Sequence, residues 1–255
     1  MPWDPSQYLK FAGQRLRPAI DLLSRIDLGE PAEVFDLGAG AGNVTRLLKA
    51  RWPKARITGV DGSQEMLAKA ATTVPDIEWQ HADLATWRPP RRADLIYSNA
   101  ALHWIDQHDR VFPALMSALA PGGVLAVQMP RNFSAPSHTS IADVVREGPW
   151  RARLEPLVRP TPTQEPSRYF DILGPHAAEL DIWESEYLQV MDGEDPIKEW
   201  VKGTWLTPFL AALAEPERSE FETRYAQRVG RAYPRRADGR TLFPFKRLFI
   251  VARAR

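Results

Sequence analysis

The chain has 255 residues, of which 44% are hydrophobic and 25% charged, with a net charge of +1 and no cysteine. This length is enough for one sizeable core with an added cap, and the composition is that of a globular protein. The absence of cysteine excludes disulfides, thiolate metal sites and cysteine nucleophiles.

Charge and hydropathy patterning bear on partners and location. Near-neutral charge gives no general attraction to nucleic acid or to an anionic membrane. No apolar run reaches the roughly 18 residues of a membrane span, and the first residues do not resemble a signal peptide. We therefore expect a cytoplasmic monomer that binds a small molecule, and neither nucleic acid nor a membrane.

The N-terminal part alternates short apolar runs with helical patterns, which is typical of βαβ units and a parallel sheet. Asp4-Pro5 predicts a helix start, and Arg17-Pro18 predicts the start of a second helix that carries Ile20 and Ile26. Pro113 indicates that a later helix begins only near residue 109. The strands predicted here are residues 33–36, 56–61, 77–80, 94–97 and 124–129.

After Pro130 the pattern changes. Residues 131–165 are rich in Pro, Ser and Arg, residues 179–190 indicate a long strand, and residues 195–232 indicate helices. A last strand is expected at 248–251. The predicted fold is a single α/β domain: a seven-stranded, mostly parallel Rossmann-like sheet whose last strand is antiparallel. Residues 1–130 form its ligand-binding core, and 131–165 and 191–245 are interpreted as insertions that form a helical cap and bind substrate.

A glycine-rich turn follows the first strand. Asp36 precedes Gly38, Gly40 and Gly42, and glycines at such a turn bring backbone N–H groups and a helix N-terminus close to a ligand. Asn43 stands where the dinucleotide fingerprint G-x-G-x-x-G would have its third glycine, which argues against a nicotinamide cofactor.

Polar residues follow the later strands of the predicted sheet. Asp61, with Gly62 beside it, ends the second strand, where a carboxylate can accept both hydroxyls of a ribose. Asp83-Leu84 follows the third strand, where a carboxylate can accept from an adenine amino group, and Asn99 follows the fourth. Each acid taken singly is as well explained as a helix cap or a turn residue, so their order along the chain carries the prediction.

Taken together, Asp36–Gly42, Asp61, Ala82-Asp83 and 119–123 resemble the ordered motifs of class I S-adenosylmethionine (SAM)-dependent methyltransferases. Over nearly the whole chain the sequence is similar to the family of trans-aconitate 2-methyltransferases. The segments that carry this similarity are 3–9, 17–19, 51–59, 123–130 and 247–252.

The resemblance implies that SAM is the cofactor, that S-adenosylhomocysteine (SAH) is the product, and that the methyl group goes to a carboxylate of a small tricarboxylic acid, giving a monomethyl ester. The glycine turn carries Ala39 and Ala41, and residues this small should leave the backbone cradle intact.

The absence of familiar catalytic groups fits a carboxylate acceptor. A carboxylate has a pKa near 4 and is already an anion at neutral pH, so no general base is required and no catalytic residue is predicted. The five histidines show no paired metal-site spacing, so no metal is expected. Catalysis then depends on alignment, and the acceptor's charges need cationic or amide donors.

The topology predicts where those donors lie. The last strand is antiparallel, so Arg247 at its beginning lies on the same edge as the carboxyl ends of the parallel strands. Gln128, Arg131 and Asn132 at the end of the fifth strand lie there too. The remaining substrate-binding candidates are Trp104, Arg15 and Tyr8.

Three alternatives stay open at this level. The acceptor is another small acid or an acyl group on a carrier protein, or the chain methylates nucleic acid, or it binds SAM without catalysis. Against nucleic acid, residues 98–101 lack the Asn/Asp-Pro-Pro-aromatic segment of exocyclic-amine methyltransferases. The sequence leaves undetermined the carboxylate that is methylated, the substrate range and the physiological role.

Overall fold

The structure of the chain is a computed structural model that describes residues 12–255, without the side chains of Ala12, Gln14 and Arg15. The described chain forms two compact units. The larger unit contains residues 15–130, 162–185 and 247–255, and the smaller unit contains mainly 131–161 and 186–246. Among the described residues, no helix is both long and apolar enough to cross a membrane.

Seven strands form one sheet in the order β3-β2-β1-β4-β5-β7-β6. β1 to β5 pair in parallel, and β7 runs antiparallel to β5 with Gln128 opposite Phe249 and Pro130 opposite Arg247. The strands are β1 Glu33–Leu37, β2 Arg56–Asp61, β3 Glu78–His81, β4 Ala93–Asn99, β5 Leu119–Pro130, β6 Ala177–Met191 and β7 Thr241–Ala254.

Ten α-helices lie in the described part of the chain. They are α1 Ala12–Ser24, α2 Thr45–Arg51, α3 Gln64–Thr73, α4 His108–Ser117, α5 Pro136–Glu147, α6 Arg151–Leu154, α7 Pro166–Leu173, α8 Pro196–Lys202, α9 Thr207–Ala211 and α10 Glu217–Ala232. Two short 3₁₀ turns, Leu102–Trp104 and Glu155–Leu157, complete the list.

The predicted sheet, with its parallel strands and antiparallel last strand, is confirmed, but the prediction around Pro18 is wrong. Pro18 lies inside α1 instead of beginning a helix. A proline inside a helix loses one backbone hydrogen bond, and the burial of Ala19 and Leu22 keeps the helix continuous. Ile20, expected on the packed face, is 48% exposed. The Asp4-Pro5 helix start lies outside the described residues.

Of two further helices, one begins close to its predicted start and the other was not predicted. Helix α4 begins at His108 and accommodates Pro113 in its sixth position, close to the predicted start. Helix α7 was not predicted, because its eight residues are too few to show helical periodicity clearly. Its buried Tyr169 and Leu173 join the core of the larger unit.

Each unit has its own hydrophobic core. In the larger unit, Phe35, Ile96 and Leu125 of adjacent strands pack with Phe112 of α4, and all four are almost inaccessible to solvent. The core of the smaller unit lies among its helices and is rich in aromatic rings. Its ring-bearing members are Trp150, Trp200, Phe209, Phe221, Tyr225, Phe243 and Phe245.

Candidate active site

The parallel strands of the larger unit bring the predicted cofactor residues to one edge of the sheet. β1, β2 and β4 lie next to one another and run in the same direction, so their carboxyl ends meet at that edge. The glycine turn follows β1, Asp61 ends β2 and Asn99 ends β4. These residues are far apart in the chain and close in the fold.

The three glycines of the turn all have positive φ, but the space around them differs. A Cβ on Gly38 would lie 2.0 Å from Cβ of Ala101, and one on Gly42 would lie 2.9 Å from the ring of Trp79. A Cβ on Gly40 would meet nothing nearer than the flexible end of Met66, at 3.5 Å. Gly38 and Gly42 therefore let protein groups approach, whereas Gly40 has room for a Cβ in ordinary van der Waals contact with Met66.

Asp61 ties the end of β2 to the glycine turn. One carboxylate oxygen accepts a hydrogen bond from N–H of Gly40 at 2.8 Å, and the other accepts from N–H of Ser63 at 2.8 Å. Ser63 in turn caps α3 by accepting from N–H of Met66. Because each carboxylate oxygen can accept a second hydrogen bond, Asp61 retains capacity for a ribose hydroxyl.

Asp36 lies buried at the end of β1, with only 1% of its surface exposed. Its Oδ2 accepts a hydrogen bond from the hydroxyl of Thr45 at 2.6 Å. Burial, reinforced by the negative charge of Asp61, raises the pKa of Asp36 to about 7, although the Thr45 hydrogen bond opposes this shift. A cation bound near Asp36 would lower this pKa and favour the ionised carboxylate. Thr45 was missed by the sequence analysis, since nothing in the helix pattern marks its contact with Asp36.

The other predicted cofactor residues lie around the same edge. Oδ1 of Asn99 is buried and has no hydrogen-bond partner among the described residues. Oδ1 of Asp83 accepts a hydrogen bond from N–H of Ala85. In this contact Asp83 acts as a turn residue, which is one of the two explanations that the sequence left open. Leu84 would be 3.8 Å from a Cβ on Gly38, and the carbonyl of Gly62 lies 3.1 Å from Nε2 of His81.

Arg247 and Gln128 form a buried pair on β7 and β5. Nη1 of Arg247 donates to Oε1 of Gln128 at 3.3 Å, and their exposed fractions are 4% and 0%. The pairing of Pro130 with Arg247 sets the guanidinium beside the carboxyl end of β5. Trp104 follows β4 in a 3₁₀ turn and is 48% exposed. The predicted residues Gln128, Arg247 and Trp104 therefore all belong to the larger unit.

The remaining predicted substrate residues belong to the smaller unit or lie outside the described residues. Arg131 and Asn132 belong to the smaller unit, where N–H of Arg131 donates to the carbonyl of Lys246 and Oδ1 of Asn132 accepts from N–H of Lys246. Tyr8 and the side chain of Arg15 lie outside the described residues. No group of three or more potential metal-ligating side chains occurs in the part of the chain that the structure describes.

Comparison with solved structures agrees with this fold. The YcgJ protein of Bacillus subtilis superimposes with a TM-score of 0.59 at 15% identity, covering 94% of this chain and 99% of that one. A phosphoethanolamine N-methyltransferase of Haemonchus contortus in complex with SAM gives a TM-score of 0.57 at 15% identity. That match covers 98% of this chain and 56% of the longer protein.

Sequence comparison is more specific. A family model described as a methyltransferase domain matches residues 34–123, which include the glycine turn, Asp61 and Asn99. Fold and motif order thus define a SAM-dependent methyltransferase of the Rossmann-like class.

Two relatives named trans-aconitate 2-methyltransferase match nearly end to end. The protein of Azoarcus sp. (strain BH72) is 49% identical over 250 residues, covering 98% of both chains. The protein of Klebsiella pneumoniae (strain 342) is 46% identical, covering 98% of this chain and 97% of its own. The chain belongs to the trans-aconitate 2-methyltransferase family.

Proposed function

We propose that the chain transfers the methyl group of SAM to a carboxylate of trans-aconitate, giving a monomethyl ester and SAH. Relatives with this printed activity match over almost the whole chain, so both units have counterparts in them. Within the structure, the observation that carries the proposal is the buried Arg247–Gln128 pair at the carboxyl end of β5.

The residues at the edge of the sheet fit SAM. The unmatched Oδ1 of Asn99 is an acceptor suited to the ammonium group of the methionine part, and Asp61 can accept from the ribose hydroxyls. When bound, SAM supplies a methyl group activated by its sulfonium charge. The same positive charge favours the ionised form of Asp36.

Arg247 fits an anionic acceptor. A guanidinium presents several N–H donors in a fixed plane that matches a carboxylate, and burial strengthens the attraction. Gln128 accepts a hydrogen bond from Nη1 through Oε1, which fixes the orientation of the guanidinium plane. Nε2 of Gln128 is buried without a partner among the described residues, so it offers a further donor to an acceptor oxygen.

The chemistry requires little beyond this positioning. One acceptor carboxylate oxygen forms a bond to the methyl carbon as the bond from that carbon to sulfur breaks, and the electron pair stays on sulfur. The attacking carboxylate is already an anion at neutral pH, so no side chain has to remove a proton. The task of Arg247 and Gln128 is therefore to hold the acceptor in line, which reduces the entropic part of the barrier.

The proposal is tested with the purified chain, SAM labelled in its methyl group, and trans-aconitate. The expected product is a radioactive ester that releases methanol on base treatment. Citrate, an acidic carrier protein and duplex DNA are assayed in parallel. Label found mainly on one of these would replace trans-aconitate as the acceptor, and SAM binding with no labelled product in any assay would identify a non-catalytic SAM-binding protein.

A further inference from the structure

The residues at the end of β4 lie next to the glycine turn, because β4 is the neighbour of β1 in the sheet. The hydroxyl of Ser98 donates to the carbonyl of Leu37 at 2.8 Å, directly before Gly38 in the chain. A closer approach follows, since a Cβ on Gly38 would lie 2.0 Å from Cβ of Ala101. The end of β4 therefore rests against the backbone that begins the glycine turn.

The same residues are tied to β5 on the other side. N–H of Ala100 donates to the carbonyl of Gln128 at 2.9 Å, and the preceding Asn99 pairs with Gln128 in the ladder. The side chain of Gln128 accepts from Nη1 of Arg247, so one residue contacts both the turn after β4 and the guanidinium. All of these residues belong to the larger unit. The turn thus joins the predicted SAM site to the predicted acceptor site within one compact unit.

Ala100 has a backbone conformation that is unusual for alanine. Its φ is +54°, in the left-handed region that residues with a Cβ enter only at an energetic cost. The other non-glycine residues with positive φ among those described are Gln107 and Asp195, and each is exposed and directly precedes a helix. Ala100 instead lies in a partly buried turn at the candidate site, where its contacts on both sides hold it in this region.

Alanine makes this turn stiffer than glycine would. For a residue with a Cβ the allowed left-handed region covers only about 20° in φ, whereas glycine has a wide allowed region there. Replacement of Ala100 by glycine would relieve the strain, but it would also let Asn99 and Ala101 shift relative to each other. The alanine therefore holds the two flanking residues in one arrangement, in spite of the strain.

We propose that Ala100 is a positioning residue that fixes the distance between the methyl donor and the acceptor carboxylate. This inference rests on the proposed function and adds a determinant of its rate. SAM is held against the glycine turn and Asn99, and the acceptor against Arg247 and Gln128. Ala100 lies in the connection between these two sites. Methyl transfer requires the attacking oxygen, the methyl carbon and the sulfur to be in line, so a displacement of about 1 Å can slow the reaction about a hundredfold.

The test compares Ala100→Gly with wild type and with Gln107→Gly. Ala100→Gly removes one methyl group and accepts positive φ without strain, so the variant is expected to fold. Gln107→Gly makes the same backbone change at an exposed residue with positive φ in the same unit, and it serves as the matched control. The single-turnover rate, kcat, the KM for trans-aconitate, the Kd for SAM and the Tm are measured for each.

We expect Ala100→Gly to lower the single-turnover rate and kcat about tenfold, because the two reactants are aligned less often. The KM for trans-aconitate and the Kd for SAM should change by less than about threefold, since every group that contacts a reactant is kept. The Tm should stay near that of wild type, because relief of strain offsets the greater freedom of glycine in the unfolded chain. Gln107→Gly should leave the rates and affinities unchanged.

Three results would overturn the proposal: an unchanged single-turnover rate in Ala100→Gly, a loss of SAM affinity as large as the loss of rate, or an equal loss of rate in Gln107→Gly. A residue with a purely structural role would change the Tm and leave the rate of the folded protein unaltered.

A separate measurement distinguishes failure of the proposed function from failure of this inference. If wild type forms no ester from trans-aconitate, that function is wrong, and calorimetry of trans-aconitate with and without SAH then decides for Ala100. SAH bound at Asn99 would order the loosened turn, so in Ala100→Gly it should strengthen trans-aconitate binding about threefold more than in wild type. Equal effects of SAH in the two proteins, or no binding of trans-aconitate to wild type, would remove the role of Ala100.

Discussion

The two units hold their polar groups in different ways. At the sheet edge of the larger unit, side chains bind backbone: Asp61 accepts from N–H of Gly40 and Ser63, and the hydroxyl of Ser98 donates to the carbonyl of Leu37. In the smaller unit, side chains bind one another in series from Asn132 to His138. The first arrangement orders loops at the strand ends, and the second fixes the orientation of neighbouring side chains.

The difference shows how each region tolerates change. A turn built from backbone depends on conformations that only glycine adopts without strain, so a substitution there alters the chain path itself. A relay of side chains depends on the chemistry of each member and leaves the backbone alone when one member is replaced. Substitution of a glycine in the turn should therefore reduce stability and SAM binding together, whereas substitution of a side chain that only orients another group should leave the chain path unchanged.

The largest effect is expected from Gly38→Ala. The new Cβ would overlap Cβ of Ala101, and the backbone would be held at φ +78°. Strained backbone and overpacking together should reduce the free energy of unfolding by about 3 kcal/mol and weaken SAM binding. Chemical denaturation and calorimetry with SAM measure both.

Gly122→Ala is the matched control, since Gly122 also has positive φ (+74°) but nothing within 4 Å of the added Cβ. It should cost only about 1 kcal/mol. Ala101→Gly in the Gly38→Ala background should restore most of the difference. Equal losses in the two single variants, or no rescue, would show that the close approach to Ala101 is unimportant.

The next effect concerns Asp36→Asn and its dependence on pH. The folded-state pKa of Asp36 is about 7 against an ordinary value of 3.8. Between these two values the folded chain keeps a proton that the unfolded chain has lost, so stability falls as pH rises and levels off above 7. Asn carries no charge to bury, so the variant should gain on the order of 2 kcal/mol relative to wild type between pH 5 and pH 8.

Thermal or urea unfolding at both pH values measures this gain. Binding of cationic SAM should weaken in Asp36→Asn at pH 8, and in wild type as the pH falls below 7, because the ionised carboxylate favours the cation. A pH-independent stability difference between the two proteins would mean that Asp36 titrates near its ordinary pKa.

The smallest of these effects is expected from Arg247→Lys. The ammonium keeps the charge but loses the planar set of donors that Gln128 orients, so KM for the acceptor should rise about tenfold with SAM affinity unchanged. Arg253→Lys is the control on the same strand. It pairs with Val124 near the opposite end of β5 and should leave KM unaltered. If both variants change KM equally, charge on β7, rather than the oriented guanidinium, governs acceptor binding.

Much of the larger unit was predictable because its signals are local. Alternation of apolar runs with helical patterns gives β1 to β5, and the position of Asp61 and Asn99 at strand ends follows directly from those strands. The boundaries around Pro18 and the short α7 were less accessible, because packing against a core overrides a weak local preference. The contact of Thr45 with Asp36 depends on side-chain geometry alone.

The amino-acid sequence by itself determined the sheet, the glycine turn and the family, since each depends on residue types in a fixed order along the chain. Only the tertiary structure decided what the individual side chains do. In the fold, Gly38 and Gly42 leave room for the close approach of Ala101 and Trp79. Burial of Asp36 raises its pKa. Asn132, which hydrogen-bonds Ser137, accepts a hydrogen bond from the backbone of β7. These properties depend on distances between residues remote in the chain, and burial and hydrogen-bond direction follow from those distances.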